Sequence, residues 1–440
     1  MIRLLCAVVL SLVAVAGRAE IDIREVTSPG GIDAWLVEAH EIPFVALEIR
    51  VRGGANLDEP GKRGAVNLMM ALLEEGAGSM DAQAFQTERE SLAASFGFQA
   101  YDDAVSISAR FLTENRDQAI ALLREAIVAP RFDPDAIERV RAQVLSGLQS
   151  DALDPGSIAG ETFFSLAFPD HPYGTSMNGT EDSVAALTRD DLITAHRNAL
   201  VRDRIYVGAV GDITAEDLGI LLDELLGALP TEGPSMPPRV GTALSGGLTV
   251  VDYPTPQSIA IFGQAGMTRD DPDYFAAHIA NHILGGAGFE SRLMQEVREK
   301  RGLTYGIGTS LIQRDFSEMI VGSVASSNEA IGEAVDLVRS EWARMAVDGI
   351  TQTELDRAKT YLTGEYPLRF DGNGAIAGIL VSMQMIGLSP DYVINRNDYI
   401  NAVSLDDINR VAGTLLRPEE LHFVIVGQPS PLPATVQSAP

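Results

Sequence analysis

The chain has 440 residues, 46% of them hydrophobic, with 61 acidic against 33 basic side chains and a formal net charge of −28. Its length and apolar content support large cores and two or more domains. The acidic balance opposes nonspecific contact with nucleic acid or an anionic membrane, and the single cysteine, Cys6, leaves no disulfide or thiol chemistry to the rest of the chain.

Residues 1–19 read as a secretory signal peptide: Arg3, an apolar run over 4–16, then Gly17-Arg18-Ala19. Cys6 lies too early to be a lipoprotein attachment point. In a Gram-negative cell the destination is the periplasm, and no later stretch approaches the roughly 20 apolar residues of a membrane span. Short strands are expected over 21–24 and 34–37, and a longer one over 43–52. The loop Asp58-Glu59-Pro60-Gly61 precedes a helix over 64–76, rich in helix formers, with Gly76 and Gly78 as stop signals. A second helix is expected over 81–96 and a strand region over 99–111, where Val105, Ile107 and Ala109 alternate. A helix through Val128 is stopped by Pro130, and Phe132-Asp133-Pro134-Asp135 opens a long one to about Ser150. His171, between Pro169 and Pro172 in Phe168-Pro169-Asp170-His171-Pro172-Tyr173-Gly174, reads as structural and in an exposed turn. A helix from about Thr188, a buried strand over 205–211 and a helix over 215–226 complete the first half.

Residues 229–247 are rich in Pro, Gly, Ser and Thr without an apolar period, which reads as a flexible or extended linker. The plan then repeats, with strands over 258–263, 304–310 and 318–323 and helices over 274–284, 329–346, 352–364 and 405–415. The terminal strand 421–427 echoes 205–211. These observations divide the chain into 20–228, a linker over 229–247, and 248–440.

The loop Gly285-Gly286-Ala287-Gly288 follows an apolar helical run rather than a strand and lacks the lysine and serine of a phosphate loop. It reads as a tight connection permitting close backbone approach. His278 and His282, four apart on one helical face, have no carboxylate at a ligand-like spacing and read as core or interface histidines. No nucleophile and base are brought together by the sequence, so an independent hydrolase using them is disfavoured. Arg298 and Tyr305 read by themselves as a solvated helix residue in the charge run 296–301 and a strand residue beside a core.

The run from the 43–52 strand through Gly53-Gly54-Ala55-Asn56 into Gly64-Ala65-Val66-Asn67-Leu68-Met69-Met70-Ala71 resembles the first zinc helix of the pitrilysin-like (M16) metallopeptidases. The segment Ser291-Arg292-Leu293-Met294-Gln295-Glu296-Val297-Arg298-Glu299-Lys300-Arg301-Gly302-Leu303-Thr304-Tyr305 resembles a second signature of that family. The resemblance extends over essentially the whole chain after residue 19. It implies an α+β fold of two similar domains, each a mostly antiparallel sheet packed with helices, arranged as a half-clam. In the family the first helix carries H-x-x-E-H; here Asn67, Met70 and Ala71 occupy those positions and Gly147 that of the distal glutamate. Met cannot act as the base, and neither Ala nor Gly offers a side-chain ligand, so no zinc is expected on this chain. The resemblance implies roles for Arg298 and Tyr305 at the zinc site of an opposing subunit, as in M16B pairs where one subunit has the zinc motif and the other the arginine and tyrosine. Arg298 would orient a peptide, and Tyr305 would donate to the oxyanion. The expected partners are a homologous H-x-x-E-H subunit holding zinc, and unfolded peptides added to a sheet edge. The rival expectation is a stand-alone peptide-binding or assembly protein, resembling the core proteins of the bc1 complex.

Overall fold

The computed structural model describes residues 22–432 and 435–437, so the signal-peptide reading of 1–19 lies outside the described residues. In the N-terminal half the strands are β1 (Arg24–Thr27), β2 (Asp33–Glu38), β3 (Phe44–Arg52), the short pair β4 (Gly76–Ala77) and β5 (Met80–Asp81), β6 (Ser95–Ala100), β7 (Ala104–Leu112) and β8 (Ile205–Gly211). The helices are α1 (Ala65–Ala71), α2 (Ala82–Ser91), α3 (Arg116–Val128), α4 (Pro134–Asp151), α5 (Pro155–Ala167), α6 (Glu181–Ala186), α7 (Arg189–Ala199) and α8 (Ala215–Leu226). The C-terminal half carries β9 (Gly247–Asp252), β10 (Gln257–Ala265), β11 (Ile307–Gln313), β12 (Glu318–Ser327), β13 (His422–Gly427) and β14 (Val436–Gln437). Its helices are α9 (Tyr274–Asn281), α10 (Ile331–Asp348), α11 (Gln352–Glu365), α12 (Asn373–Met385), α13 (Tyr392–Ala402) and α14 (Leu405–Leu415).

Two six-stranded sheets result, in the orders β1-β2-β8-β3-β7-β6 and β11-β12-β10-β13-β9-β14. The run β2-β8-β3-β7-β6 repeats as β9-β13-β10-β12-β11. In both, the closing strand runs parallel to one neighbour (Leu36↔Ala209; Val424↔Thr249) and antiparallel to the other (Ile49↔Val207; Ile261↔Val424). The sequence echo of 205–211 in 421–427 is therefore one topological position used twice. The fold is α+β with two similar domains, as the resemblance implied.

Alternation sets the faces of the first sheet: Val45, Leu47, Ile49 and Val51 of β3 enter the core of their own half, and the intervening side chains face the other way. That second face is covered from the opposite half. Ala377, Leu380 and Met383 of α12 pack on Trp35 and Val210. Reciprocally, Phe163 and Ala167 of α5 pack on Met319 and Val424, and Ala159 on Val251 and Val426. Each sheet is thus sandwiched between its own helices and one exchanged helix. Gly208 permits this: a Cβ there would lie 2.5 Å from the Ala377 carbonyl oxygen.

Several elements differ from expectation. The helix expected over 64–76 ends at Ala71: the Leu72 and Leu73 N–H groups bond three residues back, to Met69 O at 3.1 Å and Met70 O at 3.3 Å, and Gly76, at φ 116, then starts the β4–β5 pair. Asp81 is the N-cap of α2, accepting from the Ala84 N–H at 2.9 Å, and that helix stops at Ser91 so that β6 can start. Helices α5 and α12 were not expected at all. The 230–246 segment is extended and docked: Val240 N donates to Phe316 O at 2.8 Å and Ala243 N to Ala167 O at 2.9 Å.

Candidate functional site

Helix α1 is fixed at its N-terminus by Asp58, whose carboxylate accepts from the Gly64 N–H at 2.9 Å and the Val66 N–H at 2.8 Å. Burial pushes the Asp58 carboxyl up to about 6, against the lowering effect of those donors and of Arg63. Along the helix Ala65, Val66, Leu68, Met69 and Met70 are buried in the core of the first half, while Asn67 and Ala71, one turn apart, are partly exposed. Met70 is 1% exposed, so the position that would carry a base is part of the hydrophobic packing. Gly147 lies on α4, which packs beside α1, and a Cβ built on it meets nothing within 4 Å. The helices that would frame a zinc ion are in place, but Ala71 and Gly147 have no donor, Met70 only a thioether buried in the core and Asn67 only a neutral amide; zinc does not fit this donor set. Among the described residues no three His, Cys, Asp or Glu side chains gather to hold a metal.

The second group of residues is built on an irregular turn. After Gly288, at φ 53, the chain enters a π-helical turn over Met294–Glu299 that buries Met294 and Val297 and leaves Arg298 partly exposed. Gly302, at φ 65, reverses the chain, with Gly302 N donating to Arg298 O at 2.7 Å and Leu303 N to Val297 O at 3.0 Å. That reversal returns Tyr305 to Arg298: a guanidinium N–H donates to the Tyr305 carbonyl oxygen at 2.7 Å. Arg298 is also held by the ring of Phe289, whose centroid lies 4.4 Å from Cζ, and by Glu299, whose carboxylate lies 3.6 Å from Nε. Tyr305 is 86% exposed, its phenol turned to solvent. The structure therefore brings Arg298 and Tyr305 together on one half, and Asn67, Met70 and Ala71 together on the other. The sequence reading did not single out Phe289, which lies two residues before Ser291, where the signature begins.

Residues 35–181 match the family description Insulinase (Peptidase family M16), and residues 186–362 match Peptidase M16 inactive domain. The chain belongs to the M16 family. Similar proteins include a non-peptidase homolog, YmxG, of Helicobacter pylori, 27% identical over 88% of this chain and 90% of that one. An uncharacterized zinc protease of Mycobacterium leprae is 25% identical over 89% and 88%. Among solved structures, the peptidase M16 inactive domain from Pseudomonas fluorescens superimposes with a TM-score of 0.86 at 28% identity, covering 95% of this chain and 99% of that one. The inactive-domain match, with the likeness to a non-peptidase homolog, makes this a noncatalytic member of the family.

The other motif residues of this M16 chain pack against aromatic rings or close backbone. His171 is 8% exposed, not in an exposed turn, and its Nδ1 accepts from the Tyr173 N–H at 3.2 Å within a seam of Phe168, Tyr173 and Phe316. Burial, with Arg314 and Arg63 nearby, lowers its pKa. The Tyr173 hydroxyl donates to Asp103 and accepts from the Phe316 N–H at 3.2 Å, and Arg52 pairs with Asp315 at 3.1 Å, so polar contacts join the two halves. His282 stacks on Tyr361 and His278 on Tyr274. The glycine loop makes a close approach: a Cβ on Gly285 would lie 2.4 Å from Thr309 Oγ1 and 2.8 Å from its backbone nitrogen.

Proposed function

We propose that this chain is the zinc-free, noncatalytic subunit of a two-subunit metallopeptidase of the M16B kind, working in the periplasm after removal of residues 1–19. The observation that carries the reading is the contrast between its two signatures. The first keeps no histidine, cysteine or carboxylate at its zinc positions, while the second holds Arg298 between the Phe289 ring and the Tyr305 carbonyl oxygen and keeps the Tyr305 phenol exposed. A homologous H-x-x-E-H subunit supplies zinc and the base that activates water. Arg298 supplies fixed donors that orient the peptide backbone or its carboxylate, and the Tyr305 hydroxyl donates to the oxygen on which charge develops. Edge strands β6 and β11 each pair with one neighbour only among the described residues, which supports peptide binding by strand addition and a preference for unfolded chains.

The test is peptide hydrolysis, with zinc content, for this chain, for a homologous H-x-x-E-H protein of the same cell, and for their mixture. Activity confined to the mixture, with zinc on the partner alone and loss of activity in Arg298→Gln, supports the reading. Stoichiometric zinc and hydrolysis by this chain alone refute it. Peptide binding without hydrolysis in every mixture points to the stand-alone binding or assembly protein instead.

A further inference from the structure

A cavity of about 480 Å³ opens between α9, the turn Tyr366–Arg369, α12 and α13, and reaches Arg50 of β3. Four guanidinium groups line it, those of Arg50, Arg269, Arg369 and Arg396, and no aspartate or glutamate does. In a chain of net charge −28, such a concentration of positive charge runs against the overall composition. Two of the four have carboxylate partners outside the lining: Arg50 pairs with Glu48 at 3.2 Å, and Arg369 with Glu365 at 2.6 Å. Arg269 and Arg396 have no carboxylate within 4.0 Å among the described residues.

The surroundings of these two explain how they are tolerated. Arg269 lies 4.0 Å from the centroid of Tyr274 and 5.4 Å from that of Tyr392, and it donates to the Tyr392 hydroxyl at 2.7 Å. Arg396 is only 5% exposed, sits 4.6 Å from the Tyr366 centroid, and donates to the Leu362 carbonyl oxygen at 2.5 Å and to Asn397 at 3.3 Å. Aromatic faces and carbonyl oxygens offset part of the cost of burying a guanidinium, but they leave its net charge uncancelled. Between them the wall is apolar, formed by Ile379, Met383, Ile386 and Leu388. A volume of this size, with convergent donors on an apolar lining, is that of a small-molecule or chain-end site.

We infer that this cavity binds an organic anion, a single carboxylate or phosphate head held by Arg269 and Arg396 with an apolar or aromatic body against α12. The four arginines come from positions 50, 269, 369 and 396, and only the packing of α12 across the first sheet brings Arg50 to the others; the site is a product of the exchanged helix. It is separate from the Arg298–Tyr305 signature, none of whose residues lines it, and does not depend on the subunit reading.

The test is isothermal titration of the full chain at fixed ionic strength with N-acetyl-L-phenylalanine, with its amide, and with phenyl phosphate. Binding of either anion at least about tenfold tighter than the amide, weakened by a similar factor in Arg269→Gln, supports the inference; the stronger of the two anions identifies the head group. Arg417→Gln, on a surface arginine outside the cavity, is expected to bind like the native chain. Arg396→Gln should lose binding too. Should that buried change prevent folding, the partly exposed Arg269 carries the test alone. No heat from either anion, equal binding of acid and amide, or unchanged affinity in a folded Arg269→Gln protein overturns it.

Discussion

The guanidinium of Arg298 holds the backbone carbonyl oxygen of Tyr305 at 2.7 Å, so one candidate residue positions the other while the Tyr305 phenol stays free. The two substitutions should therefore differ in kind. In the mixture with a catalytic subunit, Tyr305→Phe removes one donor from an otherwise unaltered turn, and kcat is expected to fall by about 10²-fold with KM little changed. Arg298→Gln loses both its own contact to peptide and the tether on residue 305, so kcat falls and KM rises together. Because Tyr305 is 86% exposed, Tyr305→Phe should leave the unfolding free energy within about 0.5 kcal/mol of native. Steady-state kinetics beside a urea titration check both.

The same segment is anchored further back by Arg292, which makes bonds of 2.7 and 2.9 Å to the two Glu354 oxygens, while Glu354 also closes the capping box of α11 with Thr351. Partial burial raises the Glu354 pKa, but Arg292 and Thr351 outweigh it and bring the carboxyl down to about 2. A depressed carboxylate stabilises the fold above its unfolded pKa, and that contribution is lost as pH falls from about 4.5 towards 2. Discounted for solvent screening, Glu354→Gln should cost about 1–2 kcal/mol at neutral pH. The difference between native and variant should shrink progressively below pH 4.5. A difference that stays constant down to pH 2 would show that the ion pair contributes nothing.

What the sequence disclosed and what it hid divide along physical lines. Helices with one apolar face, such as α8 and α14, were expected over the same residues that form them, because a one-sided stripe marks both period and limits. The exchanged helices α5 and α12 are apolar over most of their surface and contain glycines, so they present no period to read. Each buries one side against the sheet of the other half, a burial that only tertiary structure reveals. The juxtaposition of Arg298 and Tyr305 was legible because they share one contiguous signature. The arginine cavity was not, since its members are spread from position 50 to position 396 and nothing in their local sequence links them. His171 was misplaced for a related reason: flanking prolines indicate a turn, but the aromatic seam that buries it includes Phe316 of the other half.

Restoring the family's zinc residues on this chain should fail at one position in particular. Met70 is 1% exposed inside the first core, and Met70→Glu would place a carboxylate among apolar side chains without a partner. The expected cost is about 3 kcal/mol or more. Asn67→His falls on a partly exposed position and Gly147→Glu on an exposed one, and each should change stability by less than about 1 kcal/mol. Thermal melts of the single variants separate the cases, and a Met70→Glu protein as stable as native would show that α1 has shifted out of the core.

The exchanged helix α12 makes the fold of the first sheet depend on residues more than 150 positions later in the chain. Leu380 is fully buried against the outer face of that sheet, and the Gln384 side-chain amide donates to the Val207 carbonyl oxygen at 2.8 Å. Leu380→Ala removes the apolar contact and leaves a cavity, at an expected cost of about 2–5 kcal/mol. Gly208→Ala is expected to cost at least as much, since the added methyl would lie 2.5 Å from the Ala377 carbonyl oxygen and 3.1 Å from a Val381 methyl, so the whole helix must move outward. The two changes act on one contact and should not add. Once Gly208→Ala has lifted α12 from the sheet, truncating Leu380 has less left to remove, and the double variant should be more stable than the sum of the single costs implies. Guanidinium unfolding of the four proteins measures this coupling. Strict additivity would mean that α12 stays seated when residue 208 gains its methyl, and that the strand rather than the helix gives way.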